Sequence, residues 1–138
     1  MKEDLVKFET AKKLKELSKD SFLDFYYAYR SDGSIMELND IIEDNSEYPV
    51  LCSAPTKSLV KRWLRKVHNI VIFVGCVSDF QWIDSNCTGK SKATVEYWDY
   101  DILVVEKWLY DNTFHSANKF DTYEEALEAA IEEALTLI

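Results

Sequence analysis

The sequence predicts an α+β domain: a mostly antiparallel sheet of about four strands, with three helices packed mainly on one face. Two observations carry that class. Apolar residues recur at helical spacing in three separate stretches, about 9–19, 56–68 and 123–137. Between them the β-branched and aromatic runs come in pairs, not in the single strands that strict βαβ alternation would need. A third observation bears on the number of units. The chain has 138 residues with only three Gly and two Pro, which leaves little for linkers, so residues 1–138 read as a single α+β domain.

Each element has a local reason. In "FETAKKLKELSKD", Ala11, Leu14 and Leu17 stand at three-residue steps among Lys and Glu, the spacing of a surface helix with one buried stripe. The aromatic segment "FLDFYYAYRSDGSIMEL" is broken at Ser31-Asp32-Gly33, a turn composition, and reads as a hairpin. "NDIIEDNSEYPV" is acidic, is punctuated by Pro49, and reads as an exposed connection. From Thr56 the period returns to that of a helix, with Leu59, Val60, Trp63, Leu64 and Val67 on one apolar face. "NIVIFVGCV", residues 70–78, is too short and glycine-interrupted for a buried helix, and reads as an interior strand at the centre of the sheet. "SNCTGKSK" has the composition of a turn. The run "ATVEYWDYDILVVEKWLY" would reach roughly 60 Å as one strand at about 3.3 Å per residue, so a bend, bulge or split is expected near Asp99 or Asp101. In the last helix Thr122 and Glu125 have capping-box spacing, and Glu124 and Glu125 occupy the first turn, where the helix dipole favours anions. Leu127, Ile131, Ala134, Leu135 and Ile138 share its docking face.

Composition excludes several classes. Apolar residues make up 47% of the chain and aromatics 14%, too many for a disordered segment. No window is apolar for the length of a membrane span, and "MKEDLVKFETAKK" carries charges where a signal peptide needs its apolar core, so a soluble cytoplasmic protein is expected. Cys52, Cys76 and Cys87 are odd in number and lack CxxC spacing, which argues against a disulfide framework or a cysteine zinc site and for buried structural thiols. The net charge of −9 opposes bulk adhesion to nucleic acid, yet the charge is segregated. Residues 31–47 carry six acids and no base, 48–78 five bases and no acid, and 120–138 six acids and no base.

Three blocks of the chain, the helix start Glu9-Thr10-Ala11 with the aromatic segment after it, "APTKSLVKRWLRKVHNI", and the ending "DTYEEALEAAIEEALTLI", resemble a group of small uncharacterised proteins of Bacteroides-type bacteria and their phages and mobile elements. The resemblance implies a provenance, an accessory protein acting in the host cytoplasm, and carries over no catalytic residue.

The candidate site is a surface. Lys57, Lys61, Arg62, Arg65 and Lys66 fill the arc of the second helix opposite its apolar stripe. Such an arc is a solvated face that suits the C-terminal dipole and the acidic segments, a seat for an acidic protein, or a cradle for phosphates. The aromatics Tyr97, Trp98, Tyr100, Trp108 and Tyr110 form either core or an uncovered sheet face suited to protein binding. His68 and His115 lack any metal-binding spacing, Asp99 and Asp101 lack further oxygen ligands, and Gly89-Lys90-Ser91 lacks the first glycine of a phosphate loop. The expectation is therefore a non-enzymatic protein without cofactor or metal. Lys61, Arg62, Arg65, Lys66, Trp98 and Tyr100 would bind a protein partner or a second copy. Nucleic-acid binding through the second helix is the alternative, and a small enzyme assembled from distant residues is the third reading.

Overall fold

The computed structural model describes residues 4–18, 27–37, 49–82, 91–106, 109–115 and 118–138. Helix α1 (Phe8–Ser18) buries Thr10, Ala11, Leu14 and Ser18. Its stripe follows the helical period, so Leu17, three residues beyond Leu14, has drifted off it and is exposed, contrary to the sequence expectation.

The expected hairpin forms from β1 (Tyr27–Arg30) and β2 (Ile35–Glu37). Gly33 supplies φ +87° at the turn, a region that costs other residues strain, and a side chain there would also meet the Phe8 ring. Asp32 accepts from the Ser34 amide at 3.0 Å and from its hydroxyl at 2.6 Å, which holds the Asp32 carboxyl below its usual range. On the other edge of β1 lies β3 (Val50–Ser53), so the first sheet has the order β2-β1-β3. Lys15 donates from α1 to the Leu51 carbonyl and ties the helix to β3.

Helix α2 (Lys57–His68) starts at Thr56, whose hydroxyl accepts from the Leu59 amide at 3.2 Å. It ends at Asn69, in the left-handed region at φ 56°, whose amide donates to the Leu64 carbonyl. The chain then enters β4 (Ile70–Trp82), which pairs antiparallel with β5 (Ser91–Glu106), and β5 pairs with β6 (Leu109–His115). Helix α3 (Tyr123–Leu135) starts at Thr122, whose hydroxyl accepts from the Glu125 amide at 3.1 Å, as the cap spacing predicted.

The α+β class stands, with three helices and antiparallel pairing throughout, but the described strands form two sheets of three and not one sheet of about four. Among the described strands, the one that begins with residues 70–78 lies at an edge of its sheet, whose centre is β5. Apolar patterning reports which faces are covered, whereas edge or centre is decided by backbone pairing, which side chains do not encode. The long β-prone run divides between Glu106 and Leu109, not at the two aspartates. Asp99 and Asp101 sit in regular register opposite Gly75 and Phe73, and the register shifts fall at Val77/Ser78 and Val104/Glu106. The expected connection lies outside the described residues at 38–48, as do 85–90 of the expected turn, Cys87 among them, while its last two residues, Ser91 and Lys92, begin β5.

One apolar cluster draws on both sheets and all three helices: Leu14 from α1, Tyr29 and Cys52 from the first sheet, Val60 and Leu64 from α2, Ile72 and Ile102 from the second sheet, and Ile131 from α3. Helix α3 is the hub, touching β4, β5, α1 and α2. It buries Leu127, Ile131, Ala134 and Leu135 as expected, while Ile138 lies past its end and is exposed. Val67, expected in the core, is 60% exposed, because the last turn of α2 runs beyond the elements that cover Trp63 and Leu64. Cys52 is buried as expected; Cys76 is exposed, and both are free thiols.

Candidate partner-binding surface

The amphipathic pattern that buries Val60, Trp63 and Leu64 turns the cations of α2 outward. Arg62, Arg65 and Lys66 are exposed and Lys61 is half-buried. Among the described residues no ion pair joins any of the four to a carboxylate. The acidic residues of α3 therefore do not neutralise this face, although α3 packs against α2.

The surface is also concave. Ser58, Lys61, Arg62 and Arg65, spaced as one stripe of the helix, form one wall of a cleft of about 250 Å³, and Val71 and Tyr123 contribute to the other. Lys66 continues the cationic arc one turn beyond Arg62 without lining the cleft. Tyr123 holds its place through Trp98, whose ring meets it edge-on at 5.6 Å between centroids, and the Trp98 backbone is in turn paired with Phe120 at 2.8 and 2.9 Å. The structure thus brings Trp98 and the basic stripe together through Tyr123, a residue that sequence reasoning treated only as the start of a helix.

Tyr100 belongs elsewhere. It is 7% exposed, its hydroxyl donates to the Glu133 carboxylate, and its ring lies 5.9 Å from that of Phe120. Burial first, and then the Glu133 carboxylate, pushes the phenol well above its usual range. As a core residue it is not accessible to a partner, which corrects the expectation for this position. Tyr97 is half-buried under the Lys119 ammonium, 4.6 Å from its centroid. Trp108 lies outside the described residues, and Tyr110 and His115 fall in β6. The His68 ring packs edge-on against Trp63 at 4.7 Å, a structural use of the helix end.

Lys57 also departs from expectation. Counted in the cationic arc, it is only 8% exposed and lines a second cleft, of about 260 Å³, with Lys7, Thr122, Glu124, Glu125 and Glu128. Here the first turn of α2 meets the starts of α1 and α3. Glu128, 2% exposed, is the structural centre of this corner: its Oε1 accepts from the Lys7 amide at 3.0 Å and from the Thr10 hydroxyl at 2.7 Å. A carboxylate from α3 thereby caps the start of α1, where free amides and the helix dipole favour an anion. Among the described residues its Oε2, which is buried, has no hydrogen-bond partner. Sequence reasoning missed Glu128: it sits three residues before Ile131 at the edge of the docking face, but its role depends on Thr10, far away in the chain. Burial first, and then the Glu128 charge, raises the phenol of Tyr29, whose hydroxyl donates to the Val6 carbonyl at 2.6 Å.

Among the described residues no group of three His, Cys, Asp or Glu side chains is arranged to hold a metal ion, and no helix is long and apolar enough to cross a membrane. Comparison with protein-family models, with curated proteins and with solved structures finds no match for this chain.

Proposed function

We propose that this protein is a non-enzymatic binding module whose cationic α2 face receives an acidic segment of a partner protein. The accessory role in a phage or mobile element, implied by the resemblance, belongs to the same proposal. The observation that carries it is the set of Lys61, Arg62, Arg65 and Lys66, turned outward on one helix and in no ion pair among the described residues. In a chain of net charge −9, acids are abundant enough to have neutralised such a stripe. Among the described residues none does, so the stripe keeps its donors for another molecule, and arginine in particular matches carboxylates with two parallel hydrogen bonds.

Nucleic acid is the second reading, favoured by the Tyr123 side chain beside three cations, since aromatics interleaved with bases in this way stack nucleobases. The experiment that separates the two is fluorescence anisotropy with a Glu/Asp-rich peptide and with single- and double-stranded oligonucleotides, at low and moderate salt. The expected result is salt-sensitive capture of the peptide, abolished in R62E/R65E. No capture of the peptide at low salt overturns the proposal, and tighter capture of an oligonucleotide, lost in the same variant, replaces it with the second reading.

A further inference from the structure

We infer that the cleft beside α2 is a receptor for a single phosphoryl group carried on a protein segment. The inference rests on the cationic face being a binding surface, and adds which anion the cleft suits. The cleft collects Lys61, Arg62 and Arg65 from one stripe, with no described carboxylate paired to any of them. Three like charges brought to one concave wall repel each other, and one carboxylate neutralises only a third of that charge. A phosphoryl group carries about −2 near neutral pH and presents three acceptor oxygens, so it offsets about two of the three charges and offers one oxygen to each cationic side chain.

Two neutral groups complete the match. Ser58 and Tyr123 also line the cleft, and each carries a hydroxyl of a kind that can donate to an oxygen that the cations leave free. Tyr123 is fixed by the edge-on Trp98 ring, so its position is set before any ligand arrives. The cleft is also local. The stripe that lines it spans one short run, 58–65, and Glu124 and Glu125 follow Tyr123 immediately and line the neighbouring cleft. A continuous nucleic-acid backbone carries one charge per about 1.7 Å of duplex and would lie across those acids, whereas one phosphorylated side chain would not. These observations favour a phosphorylated protein segment over nucleic acid.

The test compares two peptides of the same acidic sequence, one with phosphoserine at its centre and one with Glu there, against the full-length protein, with inorganic phosphate as competitor at constant ionic strength. The phosphopeptide is expected to bind roughly tenfold more tightly. Inorganic phosphate should displace it more effectively than chloride, and S58A and Y123F should each weaken the phosphopeptide several-fold and narrow its advantage over the Glu peptide. Both variants keep every charge, so a purely electrostatic surface would not register them; circular dichroism confirms their folding. Equal affinity for the two peptides overturns this inference while the acidic-partner reading stands. Failure of both peptides overturns both readings, and an oligonucleotide that outcompetes the phosphopeptide at equal phosphate concentration replaces the protein ligand with nucleic acid.

Discussion

At the scale of single residues, the buried groups are the ones with consequences. Glu128 accepts from the Lys7 amide and the Thr10 hydroxyl, so its removal takes an acceptor from each, and Thr10 keeps only the longer bond to Glu132 Oε1 at 3.3 Å. E128A is expected to lose about 1–3 kcal/mol in urea denaturation, and E128Q less, because its carbonyl oxygen still accepts. A result with Gln as costly as Ala would assign the stabilisation to the charge at the start of α1 and not to the hydrogen bonds. Tyr100 makes a pH-dependent contribution. Burial and Glu133 raise its folded-state pKa above the usual value of about 10, so the folded chain holds this proton more tightly than the unfolded chain. Between those two values the unfolded state binds fewer protons, so stability is full below pH about 10 and falls as pH rises above it. Y100F is expected to flatten that alkaline decline, measured by thermal unfolding across the range; an unchanged slope would mean that Tyr29 or other groups cause it. The contrast between Tyr100 and Trp98 shows how far sequence carries at this scale. Both belong to one aromatic run, and only the packing of α3 decides that one is buried against Glu133 while the other supports Tyr123 at the cleft.

At the scale of elements, local chemistry was most legible at helix ends. Thr122 with Glu125 announced the start of α3, and Thr56 the start of α2; in each case the hydroxyl accepts from the amide three residues on. T56A and T122A are each expected to cost about 1 kcal/mol in chemical denaturation. The two caps share no partner, so the double variant should show the sum within about 0.5 kcal/mol, and a larger departure would reveal coupling through the corner where α2 and α3 start. Strands were legible as strands, because β-branched and aromatic runs fit a pleated surface, but their positions were not. The apolar run that begins β4 was read as a sheet centre and lies at an edge, since a covered face leaves a mark on the side chains and a missing neighbour strand does not. The amphipathic wheel of α2 placed Lys61, Arg62, Arg65 and Lys66 correctly at the surface and failed at its two ends. Lys57 is buried where the helix enters the corner of α1 and α3, and Val67 is exposed where it leaves the core.

For the whole molecule, the two sheets are joined through one apolar cluster and not through shared strands, with α3 as the element that touches the most others. That arrangement predicts cooperative unfolding. Far-ultraviolet circular dichroism and tryptophan fluorescence are expected to report one coincident urea transition, because neither sheet keeps its core once α3 leaves. Separated transitions would mean that each sheet is stable alone. The sequence by itself determined the class, the three helices to within about two residues, the hairpin turn, the Thr122 cap and the cationic arc from Lys61 to Lys66. These depend on the period of apolar residues and on contacts between near neighbours, which a single chain displays directly. Only the tertiary structure decided strand partners, the burial of Lys57, Glu128 and Tyr100, and the cleft that joins Ser58 on α2 to Tyr123 on α3. Those features come from residues far apart in the chain, as when Thr10 meets Glu128, and their energies depend on geometry that local periodicity does not encode.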